Sequence, residues 1–192
     1  MNKISKNEIS AVILAGGMGS RMGGKDKGLI EFRNLPLISY AASVAKDRAS
    51  QIFISANRSL EDYSIYGKVI EDDLEGYQGP LAGISKALKV CTSNYLLVLP
   101  CDSPMIDVTL IDSLIERMES SECDICVAHD GQRMHATFAL MKSNLNKSLD
   151  EFLAEGGRKM ALWYRQQQTE RVNVSSHLEL LTNLNSPEDF NI

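Results

Sequence analysis

Two features of the chain could do chemistry: a loop and an aspartate. The loop, residues 14–28, reads LAGGMGSRMGGKDKG and carries Gly16, Gly17, Gly19, Gly23 and Gly24 with the cations Arg21, Lys25 and Lys27. Glycines let backbone N–H groups approach an anion closely and converge on it. The aspartate, Asp102, sits in PCDSP between Pro100 and Pro104, which stiffen the turn around it. A carboxylate fixed there can hold Mg²⁺ through oxygen, since magnesium is held by one or two carboxylates together with substrate phosphates. Phosphoryl-type transfer needs positioning and charge neutralisation rather than covalent help. Plainer readings stand beside these: a solvated basic loop, and an aspartate that caps the segment after it.

The loop fails both common phosphate-loop patterns. A P-loop, G-x-x-x-x-G-K-[ST], fits Gly19, Gly24 and Lys25, but Asp26 stands where a hydroxyl should ligate magnesium. The dinucleotide fingerprint G-x-G-x-x-G fits Gly17 and Gly19, but Met22 replaces the third glycine, and the second strand ends in ISANRS with no acidic residue for a ribose.

The elements that must position these residues alternate between strand and helix. Strands are expected at 9–14, 51–55, 68–70, 95–99, 124–127, 137–141 and 171–174, and helices at 36–48, 80–90, 143–155 and 159–168. Val108, Ile111, Ile115 and Met118 mark one face of another helix. YLLVL at 95–99 is continuously apolar, as a strand buried on both faces should be. This alternation predicts an α/β fold: a three-layer α/β/α domain built on a mostly parallel sheet. HDGQR at 129–133 is a turn signal and predicts an antiparallel excursion late in the sheet. Without repeats or linkers, residues 1–192 read as a single domain. In such a sheet ligands gather at the carboxyl ends of the strands. Those ends are LAGG, SAN (Ser55–Asn57), the acidic run from Glu71, and Asp102, with GPLAG (79–83) opening a helix.

Composition narrows the classes. With 192 residues, 44% hydrophobic and 23% charged, the chain is an ordinary globular one. No apolar run approaches the roughly 20 residues of a membrane span, and MNKISKNEIS lacks a signal-peptide core, so a cytoplasmic protein is expected. A net charge of −5 argues against nucleic-acid binding and leaves a small phosphorylated ligand for the basic loop. Cys123 and Cys126 form a C-x-x-C without a second pair to complete a zinc site. They read as buried thiols facing opposite sides of a strand, and Cys101 as a free thiol beside Asp102. His129, His135 and His177 read as surface or turn residues, and no nucleophilic triad is evident.

AVILAGGMGSRMGGKDKGLIEFRNLPLI resembles the opening of the nucleotidyltransferases that activate sugars and cofactors, with their L-x-G-G-x-x-x-R-M-G signature and a following lysine. More narrowly, the chain resembles the molybdenum cofactor guanylyltransferases, the MobA family. The likeness runs through SANR, VIEDDLEGYQGPLAGI, LPCDSPMI, HDGQRMHATFAL and LTNLNSPEDF, essentially the whole chain. The resemblance implies a Rossmann-like nucleotidyltransferase that moves GMP from GTP to molybdopterin with Mg²⁺. It implies that Leu14, Ala15, Gly16 and Gly17 hold the nucleotide, that Arg21 and Lys27 bind phosphate, and that Asp102 is the metal ligand. Asp72 and the loop of Gly79, Pro80, Leu81 and Gly83 fall around guanine and ribose, with Ser55 at a further nucleotide contact. Asn183 and Asn185, and more loosely Arg158 and Lys159, fall on the pterin side, where they are expected to leave GTP binding alone. TNLNSPEDF also reads as a turn with a helix cap, and EGGRKM as a helix stop. Two departures stand out: Ser55 where the family often has Asn, and Ala136 where it often has Pro. Protein partners implied are cofactor donors and chaperones of molybdoenzymes. Rival readings are a cytidylyl or sugar-phosphate nucleotidyltransferase and a non-catalytic nucleotide-binding adaptor. LAGG, rather than the LAAG of cytidylyl relatives, favours GTP.

Overall fold

The computed structural model describes residues 3–16, 26–72 and 79–191. Arg21, Lys25 and Gly17 therefore lie outside the described residues. The apolar run ISAVIL forms the central strand β1 (Ile9–Leu14), and its alternation splits the core in two. Ile9, Ala11 and Ile13 face one helical layer, and Val12 faces the other. In β6 (Tyr95–Pro100), Leu97 and Leu99 join the first layer while Leu96 and Val98 join the second, as the period of two in a strand requires.

The first layer is built by α1 (Leu37–Arg48) and α4 (Val108–Ser120). The second is built by α3 (Pro80–Val90), α5 (Asn146–Ala154) and α6 (Met160–Tyr164). Pro80 opens α3 at its first position, where a missing N–H costs nothing. Asp107 caps α4 by accepting from Thr109 N and Leu110 N.

The remaining elements are the hairpin β2 (Glu31–Phe32) and β3 (Leu35–Pro36), then β4 (Gln51–Ser55), α2 (Leu60–Ser64), β5 (Lys68–Ile70), β7 (Ile125–His129), β8 (Met134–Lys142) and β9 (Thr169–Asn173). Among the described residues the main sheet runs β5-β4-β1-β6-β8-β7-β9. The pairs β5–β4, β4–β1, β1–β6 and β7–β9 are parallel. β8 is antiparallel to both its neighbours, which is the excursion the turn signal predicts. The fold is therefore α/β, with helices on both faces of a mostly parallel sheet. No helix of the described residues is long and apolar enough to cross a membrane.

Three expectations need correction. The helix expected at 159–168 stops at Tyr164. Gln166 N and Gln167 N tighten onto Trp163 O and Tyr164 O, and Gln168 O is claimed by Asp124 N and Ile125 N at the sheet edge. Cys123 and Cys126 do not face opposite ways: β7 begins only at Ile125, so Cys123 lies off the strand and its sulfur is 3.3 Å from that of Cys126. Both are buried free thiols. His135 is no surface residue; its side chain is 15% exposed and paired with Asp130.

Candidate active site

The carboxyl ends of β4, β1 and β6 lie side by side, with Leu14 opposite Ser55 on one flank and Pro100 on the other. Two residues past β6, Asp102 is drawn into this edge. Its backbone O accepts from Leu184 N (2.9 Å), and its carboxylate Oδ2 is ion-paired with Lys27 Nζ. The second oxygen, Oδ1, is buried and has no hydrogen-bond partner among the described residues. Cys101 beside it is buried, and that burial pushes its thiol up, so it is a protonated neighbour rather than a nucleophile.

Lys27 is fixed by its own loop. Asp26, which spoils the P-loop pattern, turns its carboxylate away from the site. Tyr63 Oη donates to it at 2.5 Å, and Arg58 Nε lies 3.3 Å from its other oxygen. Gly28 follows because a Cβ there would come within 2.7 Å of Tyr63 Oη. The departure at Asp26 is thus an anchor, and Lys27 is the residue the anchor presents.

A cavity of about 340 Å³ opens over this edge, and the described residues lining it include Leu14, Gly16, Ser55, Asp72, Gly79, Pro80 and Asp102. Asp72 is set by a reciprocal pair, Asn57 Nδ2 to its Oδ2 and its N to Asn57 Oδ1, both 3.0 Å. Its Oδ1 has no partner among the described residues. Ala15 lies just behind the cavity, its N–H spent on Ser55 O (2.9 Å). Leu81 and Gly83, expected at the nucleotide, are buried in the core. Leu81 packs under α3, and a Cβ on Gly83 would collide with Ser55 Oγ.

Thr137 and Asn183 line this cavity and also a second one, of about 540 Å³, whose wall includes Asp130, Arg133, His135 and Asn185. Asn183 lines the first cavity, and Asn185 reaches the cation beside it. Asn185 Oδ1 accepts from Lys27 Nζ at 2.7 Å, and Asn183 Oδ1 accepts from Ser103 Oγ at 2.9 Å. Asp189 Oδ2 holds the segment by accepting from Asn185 N and Ser186 N.

Arg158 and Lys159 are not brought to this group. After α5, Gly156 adopts a φ of 84°, Gly156 N donates to Leu153 O, and Gly157 N donates to Phe152 O, which is the Schellman pattern. Arg158 Nη1 donates to Leu153 O and Gly157 O in a separate groove between α3 and α5. Lys159 is exposed and caps α6 through its carbonyl.

Asn57, Ser103, Thr137 and the Asp130–His135 pair are site residues that the sequence alone does not single out. SANR and HDGQRMHAT carry three of these four features, so the signal was present as motif without role. Among the described residues no three His, Cys, Asp or Glu side chains form a metal cage, and a single carboxylate with a free oxygen is the arrangement magnesium takes beside phosphates.

Known proteins with the same pattern are numerous. The family model of the MobA-like NTP transferase domain matches residues 11–172. A molybdenum cofactor guanylyltransferase from Shewanella sediminis is 40% identical over 182 residues, covering 94% of this chain and 93% of that protein. One from Mannheimia succiniciproducens is 41% identical over 184 residues, covering 95% and 97%. The crystal structure of a molybdopterin-guanine dinucleotide biosynthesis protein A from Archaeoglobus fulgidus has the same fold, with a TM-score of 0.78 at 19% identity over 95% of each chain. The chain belongs to the family of MobA-like NTP transferase domains.

Proposed function

We propose that residues 1–192 act as one nucleotidyltransferase unit that transfers GMP from GTP to molybdopterin, forming the guanine dinucleotide form of the cofactor and releasing pyrophosphate. The observation that carries this is the pairing of Lys27 with an Asp102 whose second oxygen is buried, without a hydrogen-bond partner among the described residues, at the carboxyl end of β6. That free oxygen fits Mg²⁺, which Asp102 would hold together with the nucleotide phosphates. When bound, the ion supplies charge neutralisation on the transferring phosphoryl group.

The chain's own residues do the rest. Gly16 lies open to the cavity at the end of β1, where backbone can approach a phosphate, and Lys27 supplies the cation. Arg21 joins them by its place in the motif. Asp72, whose Oδ1 has no partner among the described residues, accepts from the N–H donors on the guanine edge, which cytosine cannot match in outline. Ser55 and the Gly79–Pro80 turn also line the cavity. The second cavity takes the body of molybdopterin, with its phosphate at the shared wall of Thr137 and Asn183. The phosphate oxygen attacks the α-phosphorus of GTP, the new P–O bond forms, and the α–β anhydride breaks to release pyrophosphate. That nucleophile is already ionised near neutrality, so the site needs no general base. The enzyme works in the cytoplasm, where GTP is made available to it.

Product and pyrophosphate formation with GTP, CTP, ATP or UTP, Mg²⁺ and molybdopterin tests this. GTP should be preferred; preference for CTP would replace the guanylyl reading with a cytidylyl one.

A further inference from the structure

Apart from Thr137, the residues of HDGQRMHAT have no individual role in the transfer as described so far, yet the geometry of the motif is specific. Between Val127 and Ala128 the pairing of β7 with β8 shifts from Ala139 to His135. Residues 136–138 are extra on β8, and a bulge of this kind re-aims side chains next to a site. Tyr164 Oη, fully buried, donates to Ala136 O at 2.9 Å and pins the bulge from below. The pairing of β8 with β6 also ends at Ala139, so the bulge diverges from β6 where that strand delivers Asp102. Thr137 thereby reaches the wall between the two cavities, and His135 lines the larger one.

The His135 ring meets the edge of Phe138, with centroids 6.5 Å apart, and its one hydrogen-bond partner among the described residues is Asp130. His135 Nε2 is 2.7 Å from Asp130 Oδ2. Asp130 is itself immobilised, since its Oδ1 accepts from Gln132 N (2.8 Å) and Arg133 N (2.7 Å) across the Gly131 turn. The Arg133 N–H, then His135 and the Gln132 N–H, hold the carboxyl well below the usual range. The Asp130 charge favours a proton on Nε2, so the other ring nitrogen is what a ligand meets. Nδ1 has no hydrogen-bond partner among the described residues. A hairpin clip would need neither a cavity nor a free nitrogen.

We propose that His135 is a recognition residue for the body of the acceptor, a polar heterocycle, and that Asp130 is the positioning residue that aims its ring into the larger cavity. This rests on the acceptor being molybdopterin, as proposed above. The pair contributes to acceptor binding and takes no part in breaking the anhydride of GTP.

Steady-state transfer to molybdopterin separates the two proposals. Wild-type enzyme that forms no product with it would overturn the assigned reaction and this inference with it. With wild-type transfer established, His135→Ala should raise KM for molybdopterin about tenfold, the worth of one good hydrogen bond. KM for GTP should stay within about twofold. Asp130→Asn, which keeps the acceptor for the turn N–H groups, should raise the acceptor KM about threefold. His135→Gln retains an amide at the Nε2 position and so keeps the clip, and should resemble His135→Ala in acceptor KM while melting like the wild type. Overturning results are an unchanged acceptor KM in His135→Ala, equal rises in both KM values, or full rescue by His135→Gln, which would make the pair a structural clip.

Discussion

The parallel half of the sheet, β5-β4-β1-β6, and the half built on β8-β7-β9 position their site residues in different ways. In the first, each residue stands at or just past the end of a regular strand: Leu14, Ser55, Asp72 and Asp102. In the second they come from irregular backbone: a bulge that carries Thr137, a turn that carries Asp130, and an extended stretch with Asn183 and Asn185. Regular strand ends hold charges at fixed spacing, which suits electrostatic work on a transition state. Irregular backbone can shape a wall to one partner. The two halves meet at Lys27, which touches Asp102 from the first and Asn185 from the second.

The sharpest way to break this division is at Asp102. Asp102→Asn preserves volume and a hydrogen-bond acceptor for Lys27, so the fold should persist by circular dichroism. Turnover should fall by at least about 10³, several kcal/mol in the barrier, as the loss of a metal-holding carboxylate predicts. Normal turnover would take Asp102 out of the chemistry and leave the parallel half a binding platform. Lys27→Ala should cost about 2–4 kcal/mol in kcat/KM for GTP. Lys25→Ala should cost well under ~1 kcal/mol if Lys25 acts as an exposed charge. Asn185→Ala, read against Lys27→Ala in a double-mutant cycle, measures how tightly the halves are joined. A coupling of about 1 kcal/mol is expected for residues in contact, and additivity would mean the asparagine serves the acceptor alone.

The same division explains what was legible in the sequence. Buried parallel strands are continuous apolar runs, and the bounds of β1, β4, β5 and α3 follow directly from them. Asp102 was legible because PCDSP follows such a run. The irregular half was not. MHATFALMK gives no sign of where the bulge falls, so the partnership of Asp130 with His135 could not be seen. The Lys27–Asn185 bond joins residues 158 apart in the chain, a distance no local pattern reports. No local signal marks the hairpin β2–β3, because its turn uses Arg33 and Asn34 at φ of 50° and 65°, without the glycine that usually marks such turns. EGGRKM was legible as a helix stop, and its structure is that of a helix stop.

Gly83 probes the parallel half through packing alone. It lies in the second turn of α3 with no room for a methyl against Ser55 Oγ and Leu14. Gly83→Ala should therefore destabilise by about 1–3 kcal/mol despite alanine's better helix propensity, because overpacking outweighs the gain of up to ~1 kcal/mol. Chemical denaturation measures it. Combining it with Ser55→Ala, which removes the Oγ but keeps a Cβ 2.8 Å from the new methyl, should recover part of the loss, and no recovery would place the strain elsewhere.

The smallest effect tests the irregular half. Tyr164→Phe removes one hydroxyl from a core residue that otherwise keeps its packing. Burial pushes the phenol's proton affinity up, so Tyr164 is a protonated donor at neutral pH. Its loss leaves Ala136 O without that bond, and stability should fall by about 1 kcal/mol, the net worth of one neutral hydrogen bond. What matters more is where the damage appears. If the bulge is held from below by this bond, its loosening should raise KM for the acceptor by about twofold to threefold, with KM for GTP unmoved. Stability loss with both KM values intact would mean the bulge keeps its shape through the Asp130 turn and its own ladder. A rise confined to GTP would mean that the two halves are not divided by substrate, and that the bulge shapes the nucleotide side through Thr137.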